Sequence, residues 1–415
     1  MRAYFSGLKE EYVSFAKKTV SFRSYPGEEK PLADFFLDAF EKMGVEAFRD
    51  GAGNVIAVLK GEGGGPNVML NGHLDIVPEG DLKNWAPFDP FSAELDGDEL
   101  VGRGLSDLKG GLCAQFFAFR EFARLAKKGK KLPGDLIFAL VTMEEPAESM
   151  GTEYLFDVTM KERGLTCDAV YLSEPTSGDL ALGHRGKVEL VVDVFGRTAH
   201  SSQPKQGISA VEKALPLLSA VFDAFGEPAD AHPLLGESSM TVTDLEIKPG
   251  GLSVVPDLCR VYVDRRYVPP KTTADCVAQI ERFIAARSEK DPEFSAKVYP
   301  RATKRTCYTG YTKEMERKHP VWITDREDPF VQASFKALRE IGQDPAEKYW
   351  KFGTDGSITK GACGIPTIGY SMAEERWAHQ PKERVNVDRM LLCVEGYCAM
   401  LCALYGLPLS EIAGE

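Results

Sequence analysis

Residues 68–75 read VMLNGHLD, an apolar run followed by a histidine and an aspartate. The run predicts a buried strand, and His73 and Asp75 lie at its carboxyl end. Residues two apart in an extended chain point to the same side, so Asp75 can accept the ring N–H of His73 and direct the other ring nitrogen at a cation. The same spacing also occurs by chance, so the rest of the chain has to distinguish a metal site from a polar turn.

Apolar runs that end in polar residues recur along the chain. Residues 136–141 precede Glu144, and residues 169–172 precede Glu174. A helical pattern at 108–127 lies among these runs. Alternating strands and helices predict an α/β domain with a mostly parallel sheet and helices on both faces. In such sheets, functional groups collect at the carboxyl ends of the strands.

The pattern changes from about residue 184 to about residue 298. Three strands and two helices are predicted there, near residues 188–195, 240–247, 259–266, 207–225 and 273–288. This is typical of an α+β domain in which two helices cover one face of an antiparallel sheet. The α/β pattern returns afterwards. We therefore predict a discontinuous larger domain of residues 1–183 and 299–415, with a smaller domain of residues 184–298 inserted in it.

Composition narrows the class of protein. The 415 residues exceed what one core usually organises, and 43% of them are hydrophobic. A net charge of -12 argues against nucleic acid or an anionic membrane as the main partner. Residues 1–18 carry charges among their apolar residues, and no stretch reaches the roughly 18 apolar residues of a membrane span. Nine cysteines without a CxxC pair favour reduced thiols, so we expect a cytoplasmic protein.

Other candidate ligands lie at comparable positions. Asp107 opens a predicted helix, either as its N-cap or as a ligand. Glu144 and Glu145 follow a predicted strand, where neighbouring side chains diverge, so one carboxylate can bind a cation while the other handles protons. An acidic surface loop is the alternative. Glu174 repeats the pattern of strand and carboxylate, and His379 follows a late predicted strand.

These positions together supply two histidines and more carboxylates than one ion needs. A mixed set of nitrogen and oxygen ligands suits Zn²⁺, Co²⁺ or Mn²⁺. The surplus carboxylate predicts two ions that share a bridging ligand.

With these motifs, the chain resembles over nearly its whole length a family of dizinc metallopeptidases. The family includes aminoacylases, acetylornithine deacetylases, succinyl-diaminopimelate desuccinylases and glutamate carboxypeptidases. The segments SEPT (173–176), GHRGK (183–187) and AHSSQP (199–204) are most similar to its subgroup of selenium-metabolism-linked hydrolases. The resemblance implies that the larger domain is catalytic and that the inserted domain is a lid and dimerisation domain.

The resemblance also implies a role for each candidate in the catalytic domain. Two Zn²⁺ ions share Asp107, whose peptide bond to Leu108 is expected to be cis. Glu144 is the general base, and Asp75 orients His73. The remaining ligands are His73 and Glu174 on one ion, and Glu145 and His379 on the other.

Four further positions are implied to contact substrate. His200 is expected to act across a dimer interface as an oxyanion donor in the partner's site, although the residue alone suggests only a polar loop. Arg266 is expected to bind a substrate carboxylate, since its guanidinium suits that group; a surface ion pair is the alternative. Gly353 and Thr354 resemble the family's pocket loop, but a simple turn would look the same.

The predicted protein is a homodimeric, dizinc-dependent amidohydrolase. Its expected substrate is an N-acyl amino acid, dipeptide or related small molecule that bears a carboxylate. Glu174, rather than Asp, favours the deacylase and carboxypeptidase members over the aminopeptidases. The alternative is a non-hydrolytic metal-binding or regulatory protein on the same fold, since a fold alone does not establish activity. Residues 301–327 either shape specificity or form a surface excursion.

Overall fold

A computed structural model of the chain describes residues 2–146, 148–225, 230–251 and 253–414. The elements of the first segment of the larger domain are α1 Arg2–Ser6, α2 Lys9–Val20, α3 Lys30–Lys42, β1 Glu46–Arg49, β2 Val55–Leu59, β3 Val68–His73, β4 Glu94–Asp96, β5 Glu99–Val101, α4 Gly110–Lys127, β6 Leu136–Val141, α5 Met150–Tyr154, α6 Met160–Arg163, β7 Ala169–Leu172 and β8 Leu180–His184.

The inserted domain follows, and the chain then returns to the larger domain. The elements of the insertion are β9 Gly186–Phe195, α7 Ala210–Phe225, β10 Ala231–His232, β11 Gly236–Glu237, β12 Ser239–Lys248, β13 Leu258–Tyr267, α8 Thr273–Lys290 and β14 Ser295–Pro300. The remaining elements are β15 Ala302–Thr306, β16 Thr312–Glu316, β17 Lys318–His319, β18 Trp322–Ile323, α9 Pro329–Glu340, β19 Glu347–Trp350, β20 Thr367–Gly369, β21 Arg384–Asn386, α10 Val387–Tyr405 and α11 Ser410–Ala413.

The large sheet has the strand order β1-β2-β6-β3-β7-β20-β8-β18, with β19 also beside β8. Its centre is parallel, because β3 runs parallel to β6 and β7, and β20 runs parallel to β7. Its flanks are antiparallel at β1, β2 and β18. The prediction of a mostly parallel sheet is therefore confirmed at the centre, where the candidate ligands lie.

Helices cover both faces of this sheet, as the alternation of buried side chains requires. Leu70 and Phe138 pack on one face with Phe116 and Phe119 of α4. The adjacent residues Met69 and Ile137 pack on the other face, against the segment that contains α5 and α6. Strands buried on both sides explain the continuous apolar runs of the sequence.

The inserted domain is the predicted antiparallel sheet with two helices. Its strand order is β12-β13-β9-β14, and α7 and α8 pack on one face of it. The chain leaves the large sheet at His184 and enters the sheet of the inserted domain, here named the lid sheet, at Gly186. Residues 318–319 return to the lid sheet as β17 beside β9, so this sheet uses residues on both sides of the predicted boundary at 298–299.

The sequence left two roles open for residues 301–327, and the stretch 301–323 within them contacts both domains. In the β15–β16 hairpin loop, the Tyr308 hydroxyl donates to the Gly53 carbonyl (2.5 Å) and Thr309 donates to the Gly51 carbonyl (2.6 Å). The hairpin is thereby attached to the catalytic domain, whereas the next strand, β17, belongs to the lid sheet.

In the described part of the chain, no helix combines the length and the apolar character that crossing a bilayer requires.

Candidate metal centre and active site

Three neighbouring parallel strands bring the first candidate ligands together. His73 is the last residue of β3, Glu144 and Glu145 follow β6, and Glu174 follows β7. Because β3 lies between β6 and β7 and runs parallel to both, their carboxyl ends meet at one edge of the sheet. The structure therefore places these four residues where the apolar runs predicted them.

Asp107 lies between the two histidines. Its Oδ1 is 3.2 Å from His73 Nε2, and its Oδ2 is 3.1 Å from His379 Nε2. The Asp107–Leu108 peptide bond is cis, as the family resemblance implied. One carboxylate thus faces a separate imidazole nitrogen with each of its oxygens, which is the arrangement expected of a ligand shared by two cations.

The remaining carboxylates divide between the two sides of Asp107. Glu174 Oε1 lies 3.6 Å from His73 Nε2, and Glu145 Oε1 lies 3.0 Å from His379 Nε2. Ligand atoms of His73, Asp107 and Glu145 all fall within 4.8 Å of one another. Hydrogen bonds to Asp107 and Glu145 raise the pKa of His379 to about 11, which reflects the negative charge gathered there. These nitrogen and oxygen donors fit a divalent metal such as Zn²⁺.

Glu144 lines the same cavity as Asp107 and His379 but pairs with neither histidine at ion-pair distance in the described residues. It is 7% exposed. Burial raises the pKa of its carboxyl well above the usual range; His73 opposes the shift, and the carboxylates of Asp355 and Glu174 add to it. A buried carboxylate beside a metal site, paired with neither imidazole, is suited to transfer protons.

Asp75 contacts the turn that carries the two glutamates. Its Oδ1 accepts the Glu144 N–H (3.1 Å), and its Oδ2 accepts the Glu145 N–H (3.0 Å). The His73 Nδ1 lies 2.9 Å from the main-chain oxygen of Asp75 but 3.7 Å from its carboxylate. The expected contact to the imidazole is therefore made by the main chain, and the carboxylate instead holds the Glu144–Glu145 turn.

A cavity of about 430 Å³ opens above the metal site, and the lid sheet forms part of its wall. Arg266, Lys187 and His319 are cross-strand neighbours on β13, β9 and β17, and all three line the cavity. Asp264 accepts from Arg266 Nε (2.7 Å), so Arg266 forms an ion pair, which was the alternative to a substrate contact, and it also lines the cavity. Glu148 pairs with His319 and with Lys187 Nζ (3.2 Å).

Of the other predicted substrate contacts, Gly353 lines the cavity, whereas Thr354 is buried behind it. A Cβ at Gly353 would collide with the His319 ring, so the close approach of that ring requires a glycine. The Thr354 N–H donates to His184 Nε2 (3.1 Å). His200 lies on the exposed surface of the lid domain, where its Nδ1 is 2.7 Å from Ser202 Oγ.

Several residues of the site were not identified from the sequence. Lys187 lies within the quoted GHRGK segment, so its charge was visible, but its place on the cavity wall was not. His319 lies in residues 301–327, which have no clear periodicity. Asp355 and Glu383 are buried carboxylates near the site, and Glu383 follows His379 by four residues. Only long-range contacts distinguish such residues from ordinary acidic residues in loops.

Taken together, the fold and the site define a two-domain α/β protein with a metal centre of two histidines and several carboxylates. The chain belongs to peptidase family M20/M25/M40, whose sequence profile matches residues 69–403. The predicted family is thereby confirmed.

Alignments with similar proteins cover most of the chain. The uncharacterized protein YgeY of Escherichia coli (strain K12) is 28% identical over 405 residues, which are 97% of this chain and 94% of YgeY. A succinyl-diaminopimelate desuccinylase of Methylobacterium nodulans is 27% identical over 335 residues, 79% of this chain and 78% of that enzyme. The crystal structure of the M20 family metallo-carboxypeptidase Sso-CP2 from Sulfolobus solfataricus has a TM-score of 0.71 at 17% identity and covers 96% of this chain and 100% of its own.

These findings define the class of reaction. The protein is a metal-dependent amidohydrolase that uses a metal cofactor and acts on small-molecule amides. The predicted enzyme class is confirmed.

Proposed function

We propose that the protein is a dizinc hydrolase that cleaves the amide bond of an N-acyl amino acid, dipeptide or related small molecule bearing a carboxylate. The proposal rests on the position of Asp107, whose two carboxylate oxygens face His73 and His379 on opposite sides. A carboxylate in this position can serve two ions at once. Zn²⁺ suits the mixed donors, and Co²⁺ or Mn²⁺ are possible substitutes.

In the proposed arrangement, His73 and Glu174 would hold one ion, Glu145 and His379 would hold the other, and Asp107 would contribute an oxygen to each. Metal ions bound by these residues would supply Lewis acidity, which lowers the pKa of a water molecule and polarises an amide carbonyl. Glu144 accepts the proton of the attacking water and returns it to the leaving amine. A proton transfer of this kind usually contributes about 10² to 10⁴ in rate.

The lid wall of the cavity supports a substrate with a carboxylate. Arg266 has the planar guanidinium that binds carboxylates in bidentate fashion, and Lys187 and His319 lie beside it in the same row. The metal side of the cavity supplies the reacting groups, so the row is placed to receive the part of the substrate away from the scissile bond. The desuccinylase and carboxypeptidase relatives support a deacylase or carboxypeptidase with such a substrate.

We also propose a homodimer formed through the lid domain, with His200 acting in the partner's site. β12 is an edge strand, and Leu245 on it is 52% exposed. Leu215 on α7 is 61% exposed, and Phe222 on the same helix is also exposed. Exposed apolar side chains on an unpaired edge and an adjacent helix are typical of an interface between copies.

Since all nine cysteines are free, we place this dimer in the cytoplasm.

The proposal is tested on the purified protein saturated with Zn²⁺. We expect about two zinc ions per chain by mass spectrometry, release of amine from carboxylate-bearing N-acyl amino acids or dipeptides, and loss of this release with a chelator. A control panel carries the same amides with the carboxylate converted to a neutral amide. Full metal loading without amine release from any member of the panel would contradict the proposed substrate class.

A further inference from the structure

Glu383 is a fully buried carboxylate directly behind Asp107. Its Oε1 accepts the main-chain N–H groups of Ser106 (2.7 Å) and Asp107 (2.8 Å). Its Oε2 accepts the N–H of Gly104 (2.8 Å) and Nη1 of Arg103 (2.7 Å). One side chain therefore satisfies three main-chain donors between Gly104 and Asp107 in the irregular loop that precedes α4, the last of them on the shared ligand itself.

The charge of Glu383 is matched within the same cluster. Arg103 is 2% exposed and stacks on Trp85, with its guanidinium carbon 5.2 Å from the ring centroid. A buried carboxylate is tolerated when it is paired and when its lone pairs accept hydrogen bonds, and here both conditions hold. The cluster thus pairs the buried charge of Glu383 with that of Arg103 instead of leaving it isolated.

The same contacts join the Asp107 loop to the loop of His379. Glu383 follows His379 by four residues, and its own main-chain oxygen accepts the Gly102 N–H (2.8 Å). On the other side of His379, the main-chain oxygen of Glu374 accepts the Ser106 hydroxyl (2.7 Å). Both segments that flank His379 are therefore bonded to the residues just before Asp107.

The two sides of the metal centre differ in what holds them. His73 and Glu174 emerge from adjacent strands of the sheet, and His73 is paired with Val141 in the ladder. The His379 side chain is 48% exposed and lies in a loop, whereas that of His73 is 1% exposed. The geometry between Asp107 and His379 consequently depends on contacts outside the large sheet. These are the four hydrogen bonds of the Glu383 side chain, the Ser106–Glu374 bond and the short pairing of β21 with β5.

We propose that Glu383 is a positioning residue that fixes Asp107 relative to His379, so that its loss weakens chiefly the metal ion on the His379 and Glu145 side. The inference rests on the proposed two-ion site and deepens it. Sheet pairing keeps the His73 and Glu174 side in place without Glu383. The consequence is an enzyme that retains one ion and loses the other.

The test is Glu383→Gln, which keeps the size of the side chain but turns one oxygen into a donor that faces other donors. The metal-free wild type and variant are titrated with Zn²⁺, and the two stepwise affinities are measured by equilibrium dialysis and competition with a chelator. The matched control is Glu121→Gln, because Glu121 is also buried and pairs with Arg120 and Arg124 on α4.

We expect Glu383→Gln to bind the first ion within about threefold of wild type and the second at least about tenfold more weakly, with kcat reduced more than KM. The control should lose thermal stability while keeping both affinities. Equal weakening of both ions, or no change, would overturn the inference. Should Glu383→Gln fail to fold, Ser106→Ala cuts the other contact to the His379 loop and is expected to weaken the same ion to a smaller extent.

The wild-type titration separates this inference from the proposed function. A wild type that binds one ion per chain contradicts the two-ion proposal itself, and the inference falls with it. A wild type with two ions and a variant with unchanged stepwise affinities contradicts the role of Glu383 alone.

Discussion

Replacing Asp75 with Asn tests whether its carboxylate holds the Glu144–Glu145 turn or orients the His73 imidazole. The two side chains have the same shape, but Asn accepts with one oxygen and presents an NH₂ group to the other N–H. The variant therefore loses one of the two hydrogen bonds to the Glu144 and Glu145 N–H groups, which measure 3.1 and 3.0 Å. The contact of His73 Nδ1 with the main-chain oxygen at residue 75, at 2.9 Å, remains available.

The expected magnitude follows from the lost contact. A hydrogen bond to a charged group contributes about 1.5–3 kcal/mol, and about 1.36 kcal/mol changes a rate tenfold. Asp75 is fully buried, so water does not replace the bond. If the loss of this hydrogen bond destabilises the reactive position of Glu144 by the same free energy, kcat should fall by about 10- to 150-fold.

The assay compares kcat of the zinc-saturated variant with its zinc affinity. We expect the fall in kcat with zinc affinity within about threefold of wild type, because the main chain still holds His73. The control is Asp193→Asn, a buried aspartate of the lid domain that pairs with Arg260 and should affect stability alone. A variant with zinc affinity reduced by about 10- to 100-fold and unchanged kcat when loaded would refute the reasoning and assign the carboxylate to the imidazole.

Four further results are expected. Glu144→Gln should keep the metals and lose about 10²- to 10⁴-fold in kcat; unchanged turnover would rule it out as the base. His200→Ala should lower the rate more than the metal content, and mixing it with a Glu144 variant should restore activity; mixed dimers without recovery would place His200 outside the partner's site. Lys187→Met should raise KM roughly tenfold for carboxylate-bearing substrates but not for their amides, while Lys297→Met, on the exposed lid surface, should leave both unchanged. Burial would raise the pKa of Glu148, but its histidine, lysine and arginine partners lower it, so its stabilisation is lost as pH falls below about 4.5. The gap between the melting temperatures of wild type and Glu148→Gln should therefore stay constant from pH 7 to pH 5 and narrow as the pH falls further; a gap that does not narrow below about pH 4 would contradict this.

The candidate site was predictable where local pattern decides position. His73, Glu144 and Glu174 follow apolar runs, and parallel strands bring such ends together whatever the connecting helices do. The role of Asp75 was not predictable in this way. Its spacing from His73 suggested a contact between side chains, while the carboxylate reaches Glu144 and Glu145, 69 and 70 residues away.

The lid side of the cavity shows the same limit. Arg266 and Lys187 lie in strands that the alternation of residues predicts, but their register across the sheet depends on the pairing of β9 with β13. His319 joins them only because residues 318–319 return to β9 after a hairpin attached to the catalytic domain. No feature within residues 301–327 identified that return.

The sequence by itself determined the α/β class, the inserted antiparallel domain and the types of ligand, because these depend on short apolar periods and on the chemistry of single side chains. Tertiary structure alone decided which oxygen meets which donor. Glu383 reaches the Asp107 N–H across 276 residues, and no local period carries information about such a contact. The opening strand end thus supplies one side of the proposed metal site. The main chain holds His73 there, while the carboxylate of Asp75 holds the turn of Glu144, the proposed base.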